Sequence, residues 1–241
     1  MDKMGKVCKT GDTGKIGKTG NISRIVFIHT VRGLTNLFDE LVHMHIPRAK
    51  TYHILDDTLI HTVLDAGRPT SYVYRRLTEH AVAAEEFGAD VIQLTCSSVS
   101  ETVDLIKNAV SIPLLKVDEP MIRHAVMNFR RISVIATADA TLNPTMNQLK
   151  SIASQTGKEV SSRAILCNGA YDAYLKGDLE EHDRIVTGYL LEATGSSDVI
   201  VLAQASIARV ASQIEDKIDI PVLSSPEMAV KRLAEILEKQ E

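Results

Sequence analysis

The chain has 241 residues, a formal net charge of −4, 44% hydrophobic residues and 24% charged residues, values typical of a globular protein with a substantial core. Its acidic balance, few aromatic residues and lack of Trp argue against nucleic-acid binding. No run of about 18 apolar residues indicates a membrane span. Three cysteines are too few for a disulfide framework, so we expect a reducing, cytoplasmic location.

Residues 1–22 are rich in Lys, Gly and Thr and contain few apolar side chains. This composition cannot bury enough surface to offset the entropy lost on ordering, so we predict a disordered basic tail. The tail contains Gly17-Lys18-Thr19, as a phosphate-binding loop does, but Asp12 stands where that loop requires its first glycine. We therefore expect no nucleotide site there.

From residue 24 onward, strand-like apolar runs alternate with helical patterns. In the first half, the patterns predict strands at 24–30, 52–55 and 112–117 and a buried strand within 89–99 that ends at Cys96, with helices at 34–42, 70–87, directly after Cys96 and at 119–128. In the second half, they predict strands at 131–137, 164–167, before Gln204 within 197–207 and beside Pro221, and helices around His182 and at 226–239. The alternation predicts an α/β fold with parallel sheets.

The two halves repeat one design. Residues 89–99 reappear as residues 197–207, so that Asp90 corresponds to Asp198, Cys96 to Gln204 and Ser98 to Ser206. We therefore predict two pseudo-symmetric lobes, each with a parallel sheet of about four strands flanked by helices. The expected boundaries are 23–121 plus 226–241 for the first lobe, with the last helix packing back on it, and 122–225 for the second.

Ligands of open α/β sheets bind beyond the carboxyl ends of the strands. The strand assignments therefore predict one cleft between the lobes, surrounded by Thr30, Asp56, Cys96, Thr137, Cys167 and Gln204. Thr30 and Thr137 occupy equivalent positions, and their hydroxyls suit the carboxylate of a small acid. Ordinary N-capping of the next helix is the simpler alternative for both.

Cys96 is the clearest candidate for chemistry. It follows a strand and precedes a helical pattern, so the helix N-terminus would favour its thiolate. Thr95, Ser97 and Ser98 surround it with hydroxyls and backbone N–H groups that could hold a carboxylate or an enolate oxygen. The alternative is a buried structural cysteine that packs as a small hydrophobe. For Cys167, we favour a strand-end residue near the rim of the cleft that has no chemical role.

His182 is a second candidate because it lies next to Asp183, and a histidine beside an acid can act as a general acid or base. The alternative is a solvated residue in the first turn of a helix. The other histidines are scattered and form no Cys/His cluster, so we predict no metal site.

The motif Leu94–Ser98 and its degenerate repeat Leu202–Ser206 resemble the aspartate/glutamate/hydantoin racemase superfamily. The resemblance implies two α/β lobes, no pyridoxal cofactor, a homo-oligomer, and one cysteine per lobe acting on opposite faces of a small carboxylate. Cys96 matches the first-lobe cysteine, and Gln204 replaces the second, as in an atypical branch. The substrate-binding residues implied are Thr30, Thr95, Ser97, Ser98, Thr137, Gln204 and Ser206.

Three hypotheses about function remain open. The favoured one is an isomerase that acts at the acidic C–H of a small carboxylic acid, with Cys96 as one acid/base group and His182 as the other. The second is a decarboxylase or other lyase in which Cys96 alone protonates one face. The third is a protein that binds a small acid without catalysis.

Overall fold

A computed structural model describes residues 22–239, so the predicted tail lies outside the described residues except for Ile22. The first lobe comprises β1 (Arg24–His29), α1 (Thr35–His45), β2 (Lys50–Leu55), α2 (Thr58–Ala66), α3 (Ser71–Glu86), β3 (Val91–Leu94), α4 (Val103–Ile106), β4 (Leu114–Lys116) and α5 (Glu119–Asn128). Next come β5 (Arg131–Ala136), α6 (Asp139–Thr156), β6 (Ser161–Leu166), α7 (Ala170–Leu175), α8 (Leu179–Thr194), β7 (Val199–Leu202), α9 (Ala208–Gln213), β8 (Val222–Ser224) and α10 (Ser225–Glu238).

Each lobe contains a parallel sheet of four strands, in the order β2-β1-β3-β4 in one and β6-β5-β7-β8 in the other. The prediction of two α/β lobes is confirmed. The repeat extends to single contacts: Asp90 Oδ2 accepts a hydrogen bond from the Arg24 backbone N at 2.7 Å, and Asp198 Oδ2 does the same for Arg131 at 2.8 Å. Each aspartate thereby satisfies the first backbone donor of the strand beside it.

Two helices connect the cores of the lobes. Helix α10 follows the last strand of the second sheet, yet its Ala229 and Leu233 share an apolar cluster with Phe27 of β1. Helix α5 follows the first sheet, yet its Met121 shares a cluster with Ile132 of β5. The sheet of each lobe is therefore covered in part by a helix that directly follows the sheet of the other lobe in sequence.

The segment after Cys96 differs from the predicted helix. Residues Ser97–Thr102 form a 3-10 turn, followed by only four α-helical residues. Side-chain hydroxyls compete with the helical pattern here, since Ser100 Oγ donates to the Cys96 carbonyl at 3.3 Å and Thr102 Oγ1 to the Val99 carbonyl at 2.7 Å. The turn packs against α6, and this contact brings Cys96 to the boundary between the lobes.

No helix among residues 22–239 is long and apolar enough to cross a bilayer.

Candidate active site

The carboxyl ends of β1, β3, β5 and β7 meet at a cavity of about 420 Å³ between the lobes. Its lining includes eight of the predicted site residues: Thr30, Thr95, Cys96, Ser97, Ser98, Thr137, His182 and Gln204. The ninth, Ser206, has its side chain outside the described part of the structure.

Two residues expected at this cleft do not line it. The Cys167 side chain is fully buried in the core of the second lobe, where burial raises its pKa to about 12. Asp56 is also buried, and its carboxylate accepts hydrogen bonds from Arg76 at 3.0 Å and His80 at 2.8 Å. Both side chains stabilise the fold near the strand ends and do not face the cavity.

Cys96 keeps partial exposure, but its burial outweighs the effect of the N–H groups that follow it in the turn. Burial raises the pKa of the Cys96 thiol above its ordinary value, although hydrogen bonds involving Thr30 and Ser98 act in the opposite direction. The desolvation of a negative charge outweighs these bonds, and the short 3-10 turn adds no long helix dipole. Cys96 is therefore a protonated thiol at neutral pH, suited to donating a proton.

Thr30 and Thr137 have different surroundings despite their equivalent positions. Within the described part of the chain, Thr30 Oγ1 is buried and has no oxygen or nitrogen partner. The backbone N and Oγ1 of Thr137 both donate to Gln204 Oε1, at 2.6 Å and 3.0 Å. Among residues 22–239, the Thr30 hydroxyl therefore interacts only with the Cys96 sulfur, whereas Thr137 orients Gln204 so that the amide NH₂ is the end left as a donor.

The hydroxyls beside Cys96 also hold the two lobes together. Ser98 Oγ lies 2.9 Å from Thr141 Oγ1 of α6, so this bond joins the turn after Cys96 to the second lobe. Ser97 and Ser100 hydrogen-bond to the buried Asp118 carboxyl, whose pKa burial raises to about 6. These contacts fix the turn, and they leave the serine side chains less free for a ligand than the sequence suggested.

His182 is buried and lines the same cavity from the second lobe. Its Nδ1 lies 2.7 Å from Asp183 Oδ1, and Asp183 Oδ1 also accepts from Arg209 Nη2 at 2.7 Å. Burial alone would raise the pKa of Asp183, but the bonds from Arg209 and His182 lower it. The Asp183 carboxylate requires a proton on His182 Nδ1, so Nε2 is the ring nitrogen left free of this bond.

A buried chain of hydrogen bonds reaches the site from behind, and the sequence analysis missed it. Asp39 Oδ1 lies 3.0 Å from His53 Nε2, His53 Nδ1 lies 2.9 Å from His29 Nε2, and His29 Nδ1 lies 2.9 Å from Thr95 Oγ1. Because the Asp39 carboxylate only accepts, His53 Nε2 donates to it; with His53 Nδ1 as the acceptor, His29 Nε2 donates to His53 and the Thr95 hydroxyl donates to His29 Nδ1. The only other acceptor of that hydroxyl in the described contacts, the Ile28 carbonyl at 3.1 Å, also lies inside the protein.

This arrangement changes the expected role of Thr95, because its proton is used inside the first lobe and not offered to a ligand. Burial and the neighbouring His53 lower the pKa of His29 to about 4, so the His29 imidazole is neutral at pH 7. The sequence contains one signal for this chain of hydrogen bonds: Phe27 and His29 lie two residues apart, so their side chains lie on the same face of β1. In the sheet, Phe27 pairs with His53 of β2.

Much of the remaining lining is apolar and comes from elements that the sequence did not predict or place at the site. Ile60 and Leu64 belong to α2, and Tyr171, Tyr174 and Leu175 belong to α7. Among the described residues, no group of three or more His, Cys, Asp or Glu could hold a metal ion.

The Asp/Glu/Hydantoin racemase family model matches residues 26–233. Similar solved structures include a glutamate racemase from Bacillus anthracis (21% identity, TM-score 0.71, covering 90% of this chain and 82% of that one). The aspartate racemase of Picrophilus torridus is 13% identical (TM-score 0.65, covering 88% and 94%). The allantoin racemase of Klebsiella pneumoniae is 17% identical (TM-score 0.60, covering 90% and 88%). Comparison with curated protein sequences gives no match. Because the family model spans most of its length, the chain belongs to the Asp/Glu/Hydantoin racemase family.

Proposed function

We propose that the protein is a cofactor-independent racemase or epimerase that inverts a carbon bearing an acidic C–H in a small carboxylic acid. Family membership supports the reaction class. The observation that carries the proposal is the pairing of a protonated Cys96 thiol with the Nε2 lone pair of His182, both lining one cavity from different lobes. Inversion requires two such groups, one to remove a proton and one to supply it.

In the resting state, His182 is the base and Cys96 is the acid. His182 Nε2 removes the proton from the substrate carbon, and the C–H electron pair moves into the adjacent carboxyl group to form an enolate. The Cys96 thiol then donates its proton to the opposite face of the same carbon. This turnover leaves a thiolate and an imidazolium, which together act on the mirror-image substrate. Each positioned group contributes roughly 10²- to 10⁴-fold in rate.

Neutral donors would stabilise the negative charge of the enolate oxygens. The Thr30 hydroxyl is buried without an oxygen or nitrogen partner in the described part of the chain, and Gln204 keeps its amide NH₂. Fixed dipoles of this kind stabilise an oxyanion strongly because they need no reorientation during the reaction. Gln204 thus provides a hydrogen-bond donor at the position where the family resemblance implies a second, proton-transferring cysteine. His182 provides the second acid/base group in place of that cysteine.

The test is proton NMR in D₂O with small chiral amino acids, 2-hydroxy acids, malonates and hydantoins. The wild type should invert a substrate and place deuterium at the inverted carbon. Cys96→Ala should exchange only the enantiomer whose proton faces His182, without inversion, and His182→Gln, which keeps only the protonated thiol, should exchange neither enantiomer at neutral pH. If both variants exchange both enantiomers, the two-base assignment is wrong.

Gln204 also favours a second candidate, a decarboxylase in which Cys96 alone protonates one face. In that case the same spectra would show a product one carboxyl shorter that carries deuterium stereospecifically. Cys96→Ala would abolish its formation, whereas His182→Gln would not. If no acid in the panel is turned over while Cys96→Ser keeps full ligand affinity, the protein binds a small acid without catalysis.

A further inference from the structure

The cavity has a polar floor and an apolar mouth. The polar groups described above lie at the strand ends, whereas the side chains of Val31, Leu34, Ile60, Leu64, Tyr174 and Leu175 form much of the remaining lining. Several of these are exposed at the opening, with Val31 at 39%, Tyr174 at 49% and Leu175 at 65% of full exposure. Apolar side chains from both lobes therefore surround the part of a ligand that extends away from Cys96.

The described lining offers no free lysine or arginine for a second anionic group. Among the described residues that line the cavity, Arg32 is the only lysine or arginine. Its guanidinium donates to Asp57 Oδ2 from Nε at 3.2 Å and from Nη2 at 2.9 Å, and its side chain is 81% exposed. Asp57 itself lines the cavity, so a second carboxylate would compete with it for Arg32 and be repelled by it.

The volume also exceeds the needs of a very small acid. At about 30 Å³ per water-sized group, a cavity of about 420 Å³ holds roughly 14 non-hydrogen atoms. A carboxyl group and the carbon that carries it account for only a few of these. The space left is that of a phenyl ring or a branched alkyl chain, and an apolar mouth discriminates by about 10- to 200-fold per methylene.

From these three observations, and resting on the proposed function of the site, we propose that the substrate carries a single anionic group and an apolar side chain. The carboxylate binds at the floor beside Thr30 and Gln204, and the apolar side chain occupies the mouth between α2 and α7. Dicarboxylic acids are disfavoured because the described lining has no free lysine or arginine and because Asp57 would repel the second carboxylate.

Calorimetric titration tests this proposal without requiring turnover. The probes are 3-phenylpropanoate and glutarate, followed by phenylalanine and glutamate as both enantiomers. The phenyl acids should bind at least tenfold more tightly than the dicarboxylic acids. Equal or tighter binding of glutarate or glutamate, or failure of all four acids to bind at millimolar concentration, would overturn the proposal.

A positive charge at the mouth of the cavity should reverse the preference for 3-phenylpropanoate over glutarate. Leu175→Arg supplies the missing cation, so it should weaken 3-phenylpropanoate binding and strengthen glutarate binding, each by about tenfold. Leu105→Arg is the matched control: it makes the same change of net charge at a leucine that is 68% exposed on α4 and outside the cavity lining. If both variants shift the ratio equally, the mouth does not set the preference.

The two proposals fail separately. If the phenyl acids bind preferentially but none exchanges its proton in D₂O, the reaction is wrong and the ligand class stands. If glutamate or aspartate is inverted faster than every acid with an apolar side chain, the reaction stands and the ligand class is wrong.

Discussion

Replacing His29 with glutamine should make the stability of the protein less sensitive to acid. His29 is fully buried, and burial together with His53 lowers its pKa to about 4 from 6.5. Below pH 6.5 the unfolded chain therefore binds a proton that the folded chain does not bind until about pH 4, so stability falls as the pH falls through this window. Between pH 7.5 and pH 4.5, this linkage costs about 2.5 kcal/mol of unfolding free energy.

The contribution of Asp118 to the pH dependence of stability is opposite in sign to that of His29. The pH dependence of the wild type alone therefore does not reveal the contribution of His29. Burial raises the pKa of its carboxyl to about 6 from 3.8, and the folded state therefore binds a proton before the unfolded state does. Over the same pH interval, this protonation stabilises the folded state by about 2 kcal/mol. The two linkages nearly cancel, and each becomes visible only when the other group is removed.

Urea unfolding of the wild type, His29→Gln and Asp118→Asn at pH 7.5 and pH 4.5 measures both contributions. Relative to the wild type, His29→Gln should gain about 2.5 kcal/mol on acidification, and Asp118→Asn should lose about 2 kcal/mol. His124→Gln replaces an exposed histidine and should change the pH dependence by less than about 0.5 kcal/mol. If the free energy of His29→Gln differs from the wild type by the same amount at both pH values, the linkage assigned to His29 is refuted.

Three further predictions concern other sites. Asp183→Asn removes the carboxylate that fixes the His182 tautomer, so we expect kcat to fall about 10- to 100-fold while the calorimetric affinity for 3-phenylpropanoate stays unchanged; an equal loss in affinity would indicate a merely structural role. Although burial acts to raise it, hydrogen bonds lower the pKa of Asp56 to about 2, so Asp56→Asn should cost about 2 kcal/mol in urea unfolding at pH 7, and this cost should vanish as the pH falls from about 4 to 2. Mass spectrometry after iodoacetamide treatment of the folded protein at pH 8 should find Cys96 modified before the fully buried Cys167, and preferential modification of Cys167 would contradict the burial argument.

The two-lobed architecture could be predicted because its signals are local in sequence. The correspondence of Asp90 with Asp198 reflects a contact made by both residues at the start of a strand. Cys96 could be located at a strand end because the apolar run before it stops abruptly, and its place in the cavity then follows from the rule for parallel sheets.

The sequence could not predict features that depend on the register of paired strands, on the burial of a side chain or on a helical pattern that is interrupted. The bond between His29 and His53 exists only because β1 and β2 pair in one particular register. The protonation state of Cys96 depends on how completely the two lobes remove it from water. Helix α6 contains Pro144 in its interior, and this residue, which normally interrupts helices, obscures the pattern.

The crossing of α10 onto the first sheet has a consequence for synthesis of the chain. All four strands of the first sheet have emerged once residue 116 has left the ribosome, but α10 begins at Ser225. Until then, the face of Phe27 that packs with Ala229 and Leu233 lacks its cover. The first half of the chain to be synthesised is therefore the last to complete its core, and translation of more than 100 further residues separates the sheet from the helix that protects it from aggregation.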